Sequence, residues 1–139
     1  MKNILVAVDI ARSGGNDAVL KTAQALASAM GGRLSVIYVL DPPPSYVLAE
    51  LPEEVLKDRH DHAQEKLRDI IDGFDCTNVV VREGPPAMEI LDFAQAIQAD
   101  LIVMHSHDPG ISDYFIGSVA GRVVRHAHCS VHVLRGQDG

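Results

Sequence analysis

The stretch that decides the fold is DLIVMHSHDPGISDYFIGSVAGRVVRHAHCSVHVLR, residues 100–135. Its first apolar run, Leu101 to Met104, has the length and β-branched content of a strand that is buried on both faces. A polar loop from His105 to Asp113 follows, and Gly117-Ser118 then opens an amphipathic helix. The segment from Cys129 to Leu134 is predicted to be the last strand.

A strand, a loop and then a Gly-Ser pair at a helix start form an arrangement that can bind a phosphate group. The first turn of a helix has main-chain N–H groups without intrahelical acceptors, and it lies at the positive end of the helix dipole. Ser118 is the strongest candidate, because its hydroxyl would lie beside these N–H groups. The alternative for Ser118 is a simple N-cap, which stabilises a helix by about 1 kcal/mol.

Composition limits the classes of protein to which the chain can belong. Its 139 residues, of which 47% are hydrophobic and 22% charged, predict a single globular domain over residues 1–139. The net charge of -7 argues against a nucleic-acid-binding protein, which needs a concentrated basic face. No apolar run approaches the ~20 residues of a membrane span, and the chain starts with a strand-like segment rather than a signal peptide. We therefore expect a cytosolic protein, in which Cys76 and Cys129 are reduced thiols.

The first forty residues predict a βαβ unit. Ile4 to Val8 is a continuous apolar run that suits a buried parallel strand. Asp17 to Met30 has apolar residues at helical spacing and is followed by a Gly-Gly pair, which ends a helix. Leu34 to Leu40 is the second strand, and a connection of this kind is right-handed in nearly all known cases.

The middle of the chain continues the alternation after a proline-rich loop. Asp41 to Pro52 is predicted to be a loop that proline stiffens but that cannot be helical. Helices are predicted at Glu53 to Gly73 and Ala87 to Gln98, with a strand at Asn78 to Arg82 between them. Five strands alternating with four helices predict an α/β fold with a doubly wound parallel sheet.

Ligands of such sheets bind beyond the carboxyl ends of the strands, where the strand order reverses. This rule places Asp9, the residues after Leu40 and the loop from His105 to Gly110 around one crevice. The Asp9 carboxylate could accept a hydrogen bond from a ribose hydroxyl or a base amino group. The alternative is an Asx turn or a helix cap at the strand end.

The sequence ILVAVD near the start and the stretch after Asp100 resemble the universal stress protein family, and the resemblance covers essentially the whole chain. It is more specific to the UspF and UspG branch, which carries SH-x-P-x-I-x-x-Y-x-x-GS before a closing RHA-x-CSV strand. The matching residues are Ser106, His107, Pro109, Ile111, Tyr114, Gly117, Ser118, Arg125, His126, Ala127, Cys129, Ser130 and Val131. The resemblance implies a three-layer sandwich of the adenine nucleotide alpha hydrolase-like type. Its five-stranded parallel sheet would have the order 3-2-1-4-5, and a dimer would form through the last strand.

ATP-binding members of this family carry Gly-x-x-Gly, nine further residues and then Gly-Ser or Gly-Thr. Gly117 and Ser118 match the end of that motif, but the two earlier glycine positions hold Met104 and His107. Glycine lets the backbone approach phosphates without a Cβ atom in the way, so these replacements weaken the inference to ATP. The UspF and UspG branch lacks the same glycines, yet its members are described as nucleotide binders. This implies that Ser106 and His107 can serve instead.

The resemblance also implies a set of ligand contacts for ATP or AMP. The adenine and ribose contacts would be Ala7, Asp9 and Val39, although Val39 could equally belong to the strand core. The phosphate contacts would come from the main-chain N–H groups of Met104 to Gly110, which include His105, Ser106 and His107, and from Gly117, Ser118, Val119 and Ser130.

Asp108 departs from the branch pattern, which usually has Arg at this position. An acidic residue there could recruit Mg²⁺ or Mn²⁺, which prefer oxygen ligands, or it could lower the affinity for a triphosphate. The alternative without a role in ligand binding is that Asp108 points to solvent and starts a turn. The histidines offer one further alternative, a zinc site at His105 and His107, but no third ligand is fixed by the spacing.

The leading functional hypothesis is a binding protein, because the chain has no G-x-S-x-G, no Ser-His-Asp order and no Walker lysine. We expect a homodimeric stress-response module that holds ATP or AMP and contacts a regulatory protein partner. The dimer would form through Ser130 to Leu134, a strand whose Val131 and Val133 would be exposed unless paired. The alternatives are a nucleotide-free interaction module and a slow ATPase or autokinase.

Overall fold

A computed structural model describes residues 2–9, 16–40, 42, 44–106 and 117–135. The strands are β1 (Asn3–Val8), β2 (Arg33–Leu40), β3 (Asn78–Glu83), β4 (Leu101–His105) and β5 (Ser130–Leu134). The helices are α1 (Asn16–Met30), α2 (Ser45–Leu48), α3 (Glu53–Ile71), α4 (Pro86–Ala96) and α5 (Ser118–His126). None of the helices in these ranges is both long and apolar enough to cross a lipid bilayer.

The five strands form one parallel sheet in the order β3-β2-β1-β4-β5, which confirms the predicted topology. β1 lies in the middle and pairs with β2 on one side and with β4 on the other. The chain moves outward from β1 through β2 to β3, and then returns to place β4 on the opposite side of β1. The strand order therefore reverses between β1 and β4.

The helices cover both faces of the sheet and create two hydrophobic cores. Side chains alternate along a strand, so Val6 faces one layer and Leu5 the other. The first core packs β1, β2 and β4 against α1 and α3, with Leu20 and Leu67 almost completely buried. The second packs the other face of the sheet against α4 and α5, with Val123 fully buried. This arrangement is the predicted three-layer sandwich.

The proline-rich loop contains a helix that the sequence did not predict. Residues 41–52 were expected to be non-helical, but α2 forms a single turn, in which the N–H groups of Val47 and Leu48 both donate to Pro44 O at 2.9 Å. Proline is compatible with a helix start because its missing N–H would have no intrahelical acceptor there. The prediction was wrong because Pro44 precedes the turn rather than interrupting it. The other element bounds agree with the sequence to within about two residues.

β5 is an edge strand, as expected, but its apolar side chains are not the exposed ones. Val131 and Val133 are half-buried against the second core, whereas Ser130 and His132 are exposed. The exposed-valine argument for self-association is therefore wrong. Among the described strands, β5 has a neighbour on one side only, and the dimer through its other edge stays a prediction.

Candidate functional site

Several of the predicted site residues meet where the strand order reverses. β1 ends at Val8 and is followed by Asp9, while the neighbouring β4 ends at His105 and is followed by Ser106. The start of α5 lies at the same edge, because the Gly117 N–H donates to the Ser106 Oγ at 3.0 Å. The fold thus brings the carboxyl ends of two central strands to a helix N-terminus.

The start of α5 has the properties of an anion-binding site. Gly117 is the N-cap, its carbonyl accepts from Gly121 N–H at 2.8 Å, and no side chain of the described residues caps the helix. The N–H groups of Val119 and Ala120 precede Gly121, so they have no intrahelical acceptor. The first turn contains no acidic residue, while Arg125 and His126 in the last turn complement only the opposite, negative end of the dipole. A negatively charged group at the N-terminus of α5 would be stabilised.

Ser106 joins three elements at this edge. Its side chain accepts from Gly117, and its main-chain N–H donates to Leu134 O of β5 at 2.9 Å. The prediction of a phosphate contact through this N–H is therefore corrected, since the group is engaged in the sheet. Ser106 therefore contributes to the candidate site through its side chain, which accepts the bond from Gly117.

Asp9 is held by Asn16, which was not among the predicted site residues. The Asn16 side-chain amide accepts from Asp9 N–H through Oδ1 at 2.9 Å and donates to Asp9 O through Nδ2 at 2.7 Å. This pair of bonds fixes the main chain of Asp9, which is exposed at the crevice. The only sequence signal was an Asn directly before a helix, and such a residue is typical of an N-cap.

We expect Asn16→Ala to lower the free energy of unfolding by about 1 kcal/mol, because it removes two exposed hydrogen bonds that each contribute modestly. Urea unfolding followed by circular dichroism would measure the change. Gln64→Ala is the matched control, since Gln64 is an exposed amide within α3. Equal stabilities of the two variants would show that the Asn16 bonds contribute nothing.

Ala7 and Val39, two of the predicted adenine and ribose contacts, share one face of the sheet, the face that packs against α4 and α5. Ala7 and Val39 are partly buried there, so the strand-core alternative for Val39 describes its packing correctly. Met104 is only 4% exposed, belongs to the second core and is paired with Val133 of β5. Val119, in the first turn of α5, packs against the same core.

Ser130 is not brought to the crevice. It pairs with Leu101, the first residue of β4, so it lies at the amino edge of the sheet. Four residue steps of about 3.3 Å separate Leu101 from His105, a distance of roughly 13 Å. We therefore leave Ser130 out of the candidate site.

His107 and Gly110, with Asp108, lie outside the described residues, whereas His105 ends β4 half-buried.

Neither cysteine belongs to this edge of the sheet. Cys76 and Cys129 are both free thiols. Burial, and secondarily the nearby Asp75, raises the pKa of Cys76, and burial together with Asp100 raises the pKa of Cys129. Both side chains are therefore protonated thiols at neutral pH, a form that reacts slowly.

A central parallel sheet covered on both faces, with a helix N-terminus at the reversal of strand order, defines a doubly wound α/β protein. The chain belongs to the universal stress protein family, whose model matches residues 1–135. A universal stress protein of Thermus aquaticus is 36% identical, with 96% of this chain and 98% of that protein covered. Universal stress protein G of Escherichia coli O157:H7 is 30% identical, with 96% and 99% covered.

Solved structures agree with this assignment. The universal stress protein UspA from Lactobacillus plantarum superposes with a TM-score of 0.66 at 27% identity, covering 96% of this chain and 97% of that chain. The universal stress protein from Archaeoglobus fulgidus in complex with dAMP superposes with a TM-score of 0.64 at 24% identity, again covering 96% and 97%. The predicted family and fold are both confirmed.

Proposed function

We propose that the crevice binds an adenine nucleotide, ATP or AMP, whose phosphate lies at the N-terminus of α5. Its adenosine would lie toward Ala7, Asp9 and Val39, and Mg²⁺ or Mn²⁺ would accompany a triphosphate. The protein would act as a cytosolic, homodimeric stress-response module that forms its dimer through β5. Nucleotide occupancy would change its contacts with a regulatory protein partner.

The observation that carries this proposal is the start of α5. Main-chain N–H groups at Val119 and Ala120 and the exposed Ser118 hydroxyl lie in a first turn without acidic residues. Hydrogen bonds from such groups to a charged phosphate are stronger than those between neutral groups. The turn lies at the switch point of the sheet, where α/β proteins bind their ligands.

The family supports the choice of an adenine nucleotide over other anions. The Archaeoglobus fulgidus protein, which has the same fold, was solved with dAMP. The resemblance of this chain to the UspF and UspG branch also favours a nucleotide. We extend adenine-nucleotide binding to this chain on the basis of family membership and the geometry of α5.

Calorimetric titration with AMP and Mg·ATP, together with mass spectrometry of small molecules released from the purified protein, tests the proposal. The wild type should bind nucleotide, and Ser118→Ala should weaken binding about tenfold through loss of one hydrogen bond to a charged group. Ser28→Ala is the matched control, because Ser28 is exposed near the far end of α1.

Three results would support the other hypotheses instead. A wild-type protein that releases no nucleotide and binds none at millimolar concentration would favour the nucleotide-free interaction module. Release of phosphate from ATP that disappears in Ser118→Ala at unchanged affinity would favour the slow ATPase. An autokinase would incorporate labelled phosphate into the chain.

A further inference from the structure

We propose that Ser106 is a positioning residue that makes the site selective for phosphorylated adenosine over adenosine itself. It would act by holding the first residue of α5 against the ends of β4 and β5 rather than by contacting the nucleotide. This inference rests on the proposed function, because it assigns the origin of phosphate recognition within the same site.

The geometry of Ser106 suits a fixed anchor point. Its N–H donates to Leu134 O at 2.9 Å, so its main chain extends the pairing of β4 with β5 by one residue. Its Oγ accepts from Gly117 N–H at 3.0 Å, across eleven positions of the chain. The half-buried side chain therefore connects the rigid sheet to the residue at which α5 begins.

The apolar contacts of α5 do not provide the same restraint. Ala120 and Val123 are buried against the sheet and determine which face of the helix points inward. Hydrophobic contacts are non-directional, however, and they allow the helix start to shift by a fraction of an ångström. The bond to Ser106 is directional and acts at the N-cap itself.

This restraint matters for phosphate more than for adenosine. The N–H groups of Val119 and Ala120 can bond a phosphate oxygen only within a narrow range of distance and angle. Because the Gly117 N–H is already used by Ser106, these later N–H groups would carry the phosphate contacts. Displacement of the first turn would weaken those contacts, whereas the contacts of adenosine with β1 and β2 would be unaffected.

The test compares AMP with adenosine in calorimetric titrations of the full chain. We expect Ser106→Ala to lower AMP affinity about tenfold, while adenosine affinity changes by less than about twofold. Ser106→Thr keeps a hydroxyl and should restore most of the AMP affinity. Ser106→Cys, a weaker acceptor of similar size, should fall between them and serves as a second variant if Ser106→Ala does not fold.

A second measurement does not depend on any nucleotide. Amide hydrogen exchange in the nucleotide-free protein should show protection of Gly117 that is lost in Ser106→Ala and retained in Ser106→Thr. Equal losses of AMP and adenosine affinity, or no loss of either, would overturn the proposal and leave Ser106 a general structural residue. A wild type that binds AMP no better than adenosine would overturn the Ser106 proposal and the placement of the phosphate at α5, while adenosine binding in the crevice would stand. A wild type that binds neither would overturn the proposed function as well.

Discussion

Ser118→Asp is expected to stabilise the nucleotide-free protein and to weaken nucleotide binding strongly. α5 has no acidic residue in its first turn, so a carboxylate at its first position would interact favourably with the helix dipole. The gain should be about 0.3–1 kcal/mol. The same carboxylate would occupy the proposed anion site and repel a phosphate, at a cost of about 2 kcal/mol or more, which corresponds to roughly 30-fold in affinity.

Thermal unfolding without nucleotide and calorimetric titration with AMP would measure the two effects. Ser118→Asn is the control, because it has nearly the same shape without the charge. It should leave stability within about 0.5 kcal/mol of the wild type and should reduce AMP affinity less than the aspartate does. If Ser118→Asp bound AMP as tightly as Ser118→Asn, the phosphate could not lie at the start of α5.

Leu5→Ala should produce the largest loss of stability, about 3 kcal/mol within a usual range of 2–5 kcal/mol. Leu5 is completely buried in the second core, on the central strand β1, where it is paired with Ser35 of β2 and Ile102 of β4. Close-packed strands on both sides prevent the surroundings from filling the space that the side chain leaves. Urea unfolding at one fixed protein concentration would measure the change, since dimerisation would otherwise contribute.

Leu48→Ala removes the same atoms from a different environment and is the matched control. Leu48 lies in α2, is 38% exposed and belongs to neither core. Its replacement should cost less than about 1 kcal/mol. If Leu5→Ala were no more destabilising than Leu48→Ala, the core around β1 would be able to collapse onto the cavity.

The fold could be predicted from the sequence because its strongest determinants are local. Short apolar runs such as Leu101 to Met104 are buried on both faces, and this requires helices above and below a parallel sheet. α2 was not predicted because proline disrupts the interior of a helix, whereas Pro44 precedes the first residue of α2.

The site was harder to predict because its contacts join residues that lie seven or eleven positions apart, farther than the bonds within a helix or a tight turn reach. The bond from Gly117 to Ser106 forms only when the start of α5 lies beside the end of β4. The Asn16 bonds to Asp9 form only when the start of α1 lies beside the end of β1. The spacing of residues along the sequence does not predict either of these positions. The error at Ser130 was avoidable: as the first residue of a parallel strand it must lie at the amino edge, opposite the crevice.

Hydrogen bonds join two strand ends at the crevice to helix starts: the Asn16 side chain bonds to the main chain of Asp9, and the Ser106 Oγ accepts from the Gly117 N–H. Each contact joins the end of a central strand to the start of the next helix in the chain, β1 to α1 and β4 to α5. A substitution at either side chain would therefore affect two elements together, the strand end and the helix start that it joins.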